Sequence, residues 1–291
     1  MTNFRSGFVA LVGRPNVGKS TLLNALVGQK IAITSPVAQT TRHRLRGILT
    51  LPQAQIIFVD TPGIHKPHHL LGTVLVENAT KAIKSVDVVV LVVDGSVALG
   101  RGDQYVFDLI QKAQVPYLIG INKIDQAADS STIATYQTLG DWVTFSALQK
   151  QYLDRLQTAI WERLPPGPLY YPADMVTDQP ERFIMAELIR EQILLHTREE
   201  VPHSVAVTID RLEERPELTA ILATIYVERP SQKAIIIGEK GQKLKTIGSL
   251  ARQQIQKLIM GKVYLELFVK VQPKWRSSRL YLKEFGYHSR E

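Results

Sequence analysis

Residues 13–20 read GRPNVGKS, a GxxxxGKS pattern between the apolar run 8–12 and a helical pattern that begins near Lys19. No other stretch narrows the fold so far, because this spacing serves one geometry: strand, tight bend, helix. The glycines let the backbone curl so that its N–H groups point at a β-phosphate. The cradle is Gly13, Arg14, Pro15, Asn16, Val17 and Gly18, with Thr21 beside it. Lys19 reaches the β and γ oxygens and the Ser20 hydroxyl binds Mg²⁺. A helix N-terminus behind the bend adds a favourable dipole.

Apolar runs at 8–12, 55–59, 86–93 and 115–121 end in Gly, Asp or Asn and alternate with longer helical patterns. That is the rhythm of an α/β fold, a mostly parallel sheet with helices on both faces, whose ligands bind at strand ends. A short strand at 142–145 and a helix from about 148 to 164 complete this unit. The run 86–93 is far shorter than the ~20 residues of a membrane span and reads as a buried strand. The N-terminal residues show no export-signal pattern.

Three motifs follow the first in order, each at a strand end. Asp60 opens Asp60-Thr61-Pro62-Gly63, where a carboxylate holds Mg²⁺ through water and Gly63 offers its backbone N–H to a γ-phosphate. Between these motifs lies QTTRHR, residues 39–44, an aperiodic segment read as a second switch loop; Thr40 or Thr41 completes the Mg²⁺ shell. NKID, residues 122–125, selects the base. Asp125 accepts from the N1–H and exocyclic amine of guanine, a donor pair that adenine lacks, so the site rejects ATP. Asn122 ties the loops together, the Lys123 stem covers the base, and Ser146 and Ala147 give a backbone contact to guanine O6. The ligands expected are therefore GTP and GDP.

At 291 residues there is room for about two domains. The segment 164–172, LPPGPLYYP, excludes helix and central strand and marks the boundary, giving domains 1–172 and 173–291. The second domain reads as a small mixed α/β unit: a helix over 181–196, strands over 204–212 and 220–228, an apolar run at 234–237 leading into a helix, and a last strand over 264–271. Zero cysteines exclude disulfides, thiolate zinc sites and a cysteine nucleophile, which suits a reducing, cytoplasmic setting. The chain has 35 basic and 27 acidic side chains, but residues 229–291 hold 14 and 4 of these, a balance of +10; the remainder, with 21 and 23, carries −2. Charge gathered at one end points to a polyanion partner.

Together, GRPNVGKS, QTTRHR, DTPGIHKP and NKID resemble the TrmE–Era group of translation-linked GTPases. Residues 227–252, VERPSQKAIIIGEKGQKLKTIGSLAR, with the later VYLELFVKVQPKW, resemble the KH domain of the Era family, so the likeness covers nearly the whole chain. It implies a P-loop GTPase domain followed by a type II KH domain with its core at about 203–275. It also favours Thr41 over Thr40 as the Mg²⁺ ligand. Ile64 stands where Ras-like GTPases carry a catalytic Gln, and the resemblance implies that backbone at Gly63 positions water instead, beside Lys19 and Thr41. Asn16 would hold K⁺ as a second cation. With no arginine finger, turnover is expected at around 10⁻⁴ to 10⁻² per second. One departure is SALQKQ at 146–151, which lacks the glycine that the family usually has after Ser-Ala.

On the KH side the resemblance places single-stranded RNA against Ile237, the turn Gly238-Glu239-Lys240-Gly241, Lys243, Lys245 and Arg252. Bases would lie in an apolar groove beside Ile237 and Ile247, and Lys257, Lys262, Lys270, Lys274 and Arg276 would add phosphate contacts. Trp275, Tyr281 and Tyr287 are expected to pack a C-terminal helix. His65, His68 and His69 read as a mobile, solvated loop rather than a metal site. The implied partners are 16S ribosomal RNA near its 3′ end and the 30S subunit, with a monomeric chain in the cytoplasm that also touches the inner membrane peripherally. Weighed against this are an ATPase, which NKID opposes; an RNA-binding module with a vestigial nucleotide site, which intact Lys19, Ser20, Asp60 and Asp125 oppose; and the GTPase component of an RNA-modification system.

Overall fold

A computed structural model of the chain describes residues 4–65, 69–126, 130–259 and 261–287. The first apolar runs become β1 (Arg5–Val12), β3 (Ala54–Asp60), β4 (Val88–Asp94) and β5 (Tyr117–Asn122), joined at the edges by β2 (Leu45–Leu51) and β6 (Trp142–Thr144). The strand order is β2-β3-β1-β4-β5-β6, and every pairing is parallel except β2 with β3. All seven residues of β3 are buried, as expected of a strand covered on both faces. On one side α1 (Lys19–Val27) and α5 (Leu153–Arg163) pack around Leu11, Phe58 and Val90; on the other, α2 (Leu70–Lys84), α3 (Arg101–Ala113) and α4 (Ser130–Gln137) enclose Val12, Leu91 and Ile121.

The expected helix over 148–164 is shortened to α5. Ser146 and Gln151 pair as an isolated antiparallel bridge, and Lys150 and Tyr152 take left-handed φ values of 55° and 58°, which a right-handed helix cannot contain. The proline-rich segment is no free tether. Ser6 donates to the Pro165 and Pro168 carbonyls, the buried Gln55 Oε1 accepts from the amides of Tyr170 and Tyr171, and Ile48 N–H reaches Val176 O at 2.9 Å. The connector thus runs along the first domain before entering the second.

There, α6 (Glu181–His196), β7 (Ala206–Arg215), β8 (Leu218–Val227), α7 (Pro230–Ile237), α8 (Gln242–Ile255) and β9 (Lys262–Val271) form the α-β-β-α-α-β order of a type II KH fold. Its sheet, β7-β8-β9, pairs β7 and β8 antiparallel and β8 and β9 parallel. Residues 234–237, expected to lead into a helix, are themselves the end of one. Pro230 begins α7 at a position where its missing N–H costs nothing, and Gln232 Oε1 caps the amides of Glu228 and Arg229. A final helix, α9 (Arg279–Glu284), does not extend this sheet domain. It folds back so that Trp275, Leu282, Phe285 and Tyr287 bury against Leu71 and Leu75 of α2.

Candidate nucleotide and nucleic-acid sites

The strand ends converge on an open cleft of about 350 Å³ lined by Pro15, Asn16, Gly18, Lys19, Ser20 and Thr21, with Thr41, Gly63, Asn122, Lys123 and Ala147 across from them. Lys19, at the start of α1, is buried and donates to the carbonyls of Gly13 and Arg14 at 3.1 and 2.8 Å. Burial pushes its ammonium down to about 8, partly offset by Asp60. A phosphate at the cleft would restore the charge.

Beside Lys19, three hydroxyl and carboxylate groups meet. Ser20 Oγ lies 2.6 Å from Asp60 Oδ2 and 2.7 Å from Thr41 Oγ1, which is itself 3.2 Å from Asp60 Oδ2. The choice left open between the threonines therefore has a geometric answer, since Thr40 Oγ1 turns away to Ser35 and the Val37 carbonyl. Burial raises the Asp60 carboxyl above its usual range against the opposing pull of Lys19, and its Oδ1 is buried without a partner. An all-oxygen cluster with an orphaned carboxylate oxygen fits a hard cation such as Mg²⁺. Gly63 is obligatory here, because a Cβ would come within 2.8 Å of the Pro15 backbone. Thr61 serves the fold, its hydroxyl donating to Leu11 O at 2.8 Å; Pro62 is buried beside it. Val17 is also buried, and the Arg14 side chain leaves the cradle to pair with buried Asp103 of α3 at 2.6 Å.

At the base end, Asn122 Nδ2 donates to Val17 O at 2.8 Å and its Oδ1 accepts from Ala147 N–H at 2.9 Å, so it ties three loops. The amides of Ser146 and Ala147, expected to contact guanine O6, make hydrogen bonds within the protein, and Ala147 lines the cleft. Ser146 N–H goes to Gln151 O, and Ala147 N–H goes to Asn122. Lys123 is held by Asp94 at 2.5 Å, and Asp125 is exposed in the turn after β5. Two of the three histidines also depart from a solvated loop. His65 contacts Gln39 and Gly63 O, and His69 caps α2 by accepting from Gly72 N–H at 3.0 Å. His68 lies outside the described residues.

Sequence reasoning missed how the second domain grips the first switch. Arg42, the residue after Thr41, is buried and donates to the carbonyls of Val205, Pro202 and His203 at 2.6, 3.2 and 3.1 Å, with its guanidinium 5.9 Å from the rings of Trp275 and Tyr287. Arg190 of α6, paired with Glu187, donates to the Thr40 carbonyl, and Glu191 accepts from Thr34 N–H at 2.8 Å and pairs with Lys30. The available signal was charge on an apolar stripe: Glu187, Arg190 and Glu191 sit among Ile184, Leu188 and Leu194, where unpaired charges would be expensive.

On the nucleic-acid side, Gly238 and Gly241 take φ of 71° and 78° and bracket a short turn whose Glu239 and Lys240 are exposed; α8 begins immediately after it. Lys245 and Arg252 are exposed on α8, and Lys243 and Ile237 are half-buried. Two expectations fail. Ile247 is wholly buried in the domain core and cannot line a base groove, and Arg276 is taken by Glu228 at 2.5 Å. Trp275 and Tyr287 are buried, the former donating Nε1–H to Ser204 O at 2.8 Å.

Comparison with known proteins agrees with this architecture. Residues 8–123 match the 50S ribosome-binding GTPase family and residues 200–276 the KH domain family. The GTPase Era of Nostoc sp. is 65% identical, covering 99% of this chain and 91% of the relative; that of Synechocystis sp. is 64% identical with 99% and 94% covered. A crystal structure of Era in complex with MgGDPNP and nucleotides 1506–1542 of 16S ribosomal RNA superimposes with a TM-score of 0.95 at 41% identity, covering 98% of this chain and 99% of that one. An Aquifex aeolicus Era variant bound to GDP and aluminium fluoride gives 0.94 at 41% identity, covering 98% and 100%. With a phosphate cradle, an oxygen cluster, a guanine-selecting loop and a KH domain in one chain, and full-length relatives at these identities, the chain belongs to the Era family of GTPases.

Proposed function

We propose that this GTPase binds the 3′ region of 16S ribosomal RNA through the turn 238–241 and acts in assembly of the small ribosomal subunit, with GTP bound in the cleft between Lys19 and Asp125. The observation that carries the RNA reading is the glycine-bracketed turn, Gly238 and Gly241 at positive φ, opening α8 on the basic end of the chain. Glycine there permits a phosphodiester backbone to approach closely, and the helix N-terminus favours its charge. A solved Era structure at 41% identity holds nucleotides 1506–1542 of 16S ribosomal RNA, which supports RNA of that region as the partner. A ribosomal target sets the work in the cytoplasm; monomeric action and peripheral contact with the inner membrane complete the reading.

At the nucleotide, Lys19 neutralises β and γ oxygens, Asn122 holds the base loop to the cradle, and Asp125 reads guanine. Ser20, Thr41 and, through water, Asp60 would hold Mg²⁺, which would neutralise charge on the β- and γ-phosphates. Thr41 belongs to the first switch, and Arg42 and Arg190 fix that switch to the RNA-binding domain, so the triphosphate and the RNA surface share one segment.

The test is Gly241→Asp. No atom beyond its chain neighbours lies within 4 Å of the added Cβ, and Asp, though strained at φ 78°, bears left-handed backbone better than most side chains, so the fold is expected to survive and is checked by circular dichroism. Affinity for a 16S 3′-end oligonucleotide is expected to fall about ten- to thirtyfold, roughly 1.4–2 kcal/mol, with GTP affinity unchanged. Undiminished RNA binding refutes the assigned surface.

A further inference from the structure

Hydrolysis needs an acceptor that aims the attacking water at the γ-phosphate, and in Ras-like enzymes a Gln after the DxxG glycine is that group. Here the corresponding Ile64 is 2% exposed, packed in the core with Ala10, Ile83 and Val93, and its N–H is spent on Gly13 O at 3.2 Å. It has neither the chemistry nor the direction. A residue with a carboxamide lines the cleft from the other switch. Gln39 lines it together with Lys19, Thr41 and Gly63, and its backbone is held at φ 63°, a strained value for a residue other than glycine and one that clusters at functional sites.

The bonds of Gln39 fix its orientation. Its Nε2 lies 2.6 Å from His65 Nε2. An amide nitrogen only donates, so His65 Nε2 is the acceptor; Nδ1 then carries the proton and donates to Gly63 O at 3.0 Å. One imidazole thereby joins the first switch to the second beside the expected γ-phosphate. The remaining group, Gln39 Oε1, is buried and has no hydrogen-bond partner. A buried acceptor left unpaired is costly, and a single water donating to it removes that cost.

We propose that Gln39 is a catalytic residue, its Oε1 accepting a hydrogen bond from the attacking water, and that His65 positions it. The inference rests on the reading of the cleft as the GTP site. Water oxygen forms a bond to the γ-phosphorus as the bond from that phosphorus to the β–γ bridging oxygen breaks. The bridging oxygen and its electron pair leave with GDP, and the water proton departs with inorganic phosphate. Gln39 neither gains nor loses a proton; it fixes the angle of attack.

The experiment is single-turnover GTP hydrolysis by the full chain with Mg²⁺, alongside affinities for GDP and a non-hydrolysable GTP analogue. Gln39→Asn keeps an amide and tolerates left-handed φ but withdraws the oxygen by one methylene; Gln39→Ala removes it. Both are expected to cut the rate constant on the order of a hundredfold with KM and both affinities within about twofold, and to lose the tightening of GDP by aluminium fluoride. His65→Ala should lower the rate less, and the double variant should be no slower than Gln39→Ala, as required if His65 acts through Gln39. Wild-type rates in both Gln39 variants, loss of analogue binding in step with the rate, or additive losses in the double variant would each overturn the assignment. Wild-type protein that binds no analogue would instead sink the reading of the cleft.

Discussion

Arg42→Met tests whether the second domain holds the first switch as the structure indicates. The variant keeps most of the apolar volume and deletes a guanidinium that serves three main-chain carbonyls, those of Val205, Pro202 and His203. Each buried acceptor left without a donor costs about 1–3 kcal/mol. Against this, burial already disfavours the charged Arg42, lowering its pKa, and its Nε is buried without a partner, so removal recovers some desolvation. The net loss expected is about 2–4 kcal/mol, within the range of a broken buried network. With a urea dependence of about 2 kcal/mol per molar, the unfolding midpoint should fall by roughly 1–2 M. Trp275, stacked near Arg42, gives a fluorescence signal at the site itself. Arg42→Lys should fall between the two, since an ammonium keeps the charge but cannot span three carbonyls. A midpoint within about 0.3 M of wild type for Arg42→Met would show that the contact carries no net stability.

The apo Lys19 ammonium, at about 8, lies below its unfolded value, so at pH 8 about half of it is neutral; triphosphate binding restores the proton. Calorimetry in two buffers of different ionisation enthalpy at pH 8 should show uptake of about half a proton per GTP, and zero uptake contradicts the buried state. For the apo protein the same shift lowers stability below pH 8 and relieves that loss as pH rises from about 8 toward the unfolded value near 10.5. Asp125→Ala should weaken GTP about ten- to hundredfold without gaining ATP, read by competition; unchanged GTP affinity removes Asp125 from base recognition. Asn16, which the family resemblance makes a candidate K⁺ ligand, donates from Nδ2 to the Pro36 carbonyl at 2.8 Å. Turnover in K⁺ should exceed that in Na⁺ by roughly tenfold, and equal rates dismiss the cation.

The nucleotide cradle was legible because each of its motifs is local and each sits where a strand ends: β1 stops at Val12, β3 at Asp60 and β5 at Asn122. A parallel strand announces itself by an unbroken apolar run, and the residue that breaks the run is the one at the ligand. The errors have a different origin. Residues 148–152 have ordinary helical composition, and only the backbone pairing of Ser146 with Gln151 keeps them out of α5. Ile247 was expected in the groove because the family resemblance sets its helix beside the bases without saying what covers that residue. Its burial depends on the β-sheet and α6 packed beneath α8.

The contacts that matter most for coupling are the least visible from the chain. Arg42 reaches Val205 across 163 positions, and Arg190 reaches Thr40 across 150. No motif spacing encodes such a pair. What the sequence does contain is an inconsistency at both ends: an arginine in a polar loop that turns out buried, and charges on the apolar stripe of α6. Each is unfavourable alone and satisfied only by the other domain. A charged residue that breaks a local pattern without a local partner is therefore the physical mark of a long-range tie. In this chain those ties fall on Thr34, Thr40 and Arg42, on both sides of the hydroxyl that meets Ser20 and Asp60. Nucleotide binding cannot displace Thr41 without working against these bonds.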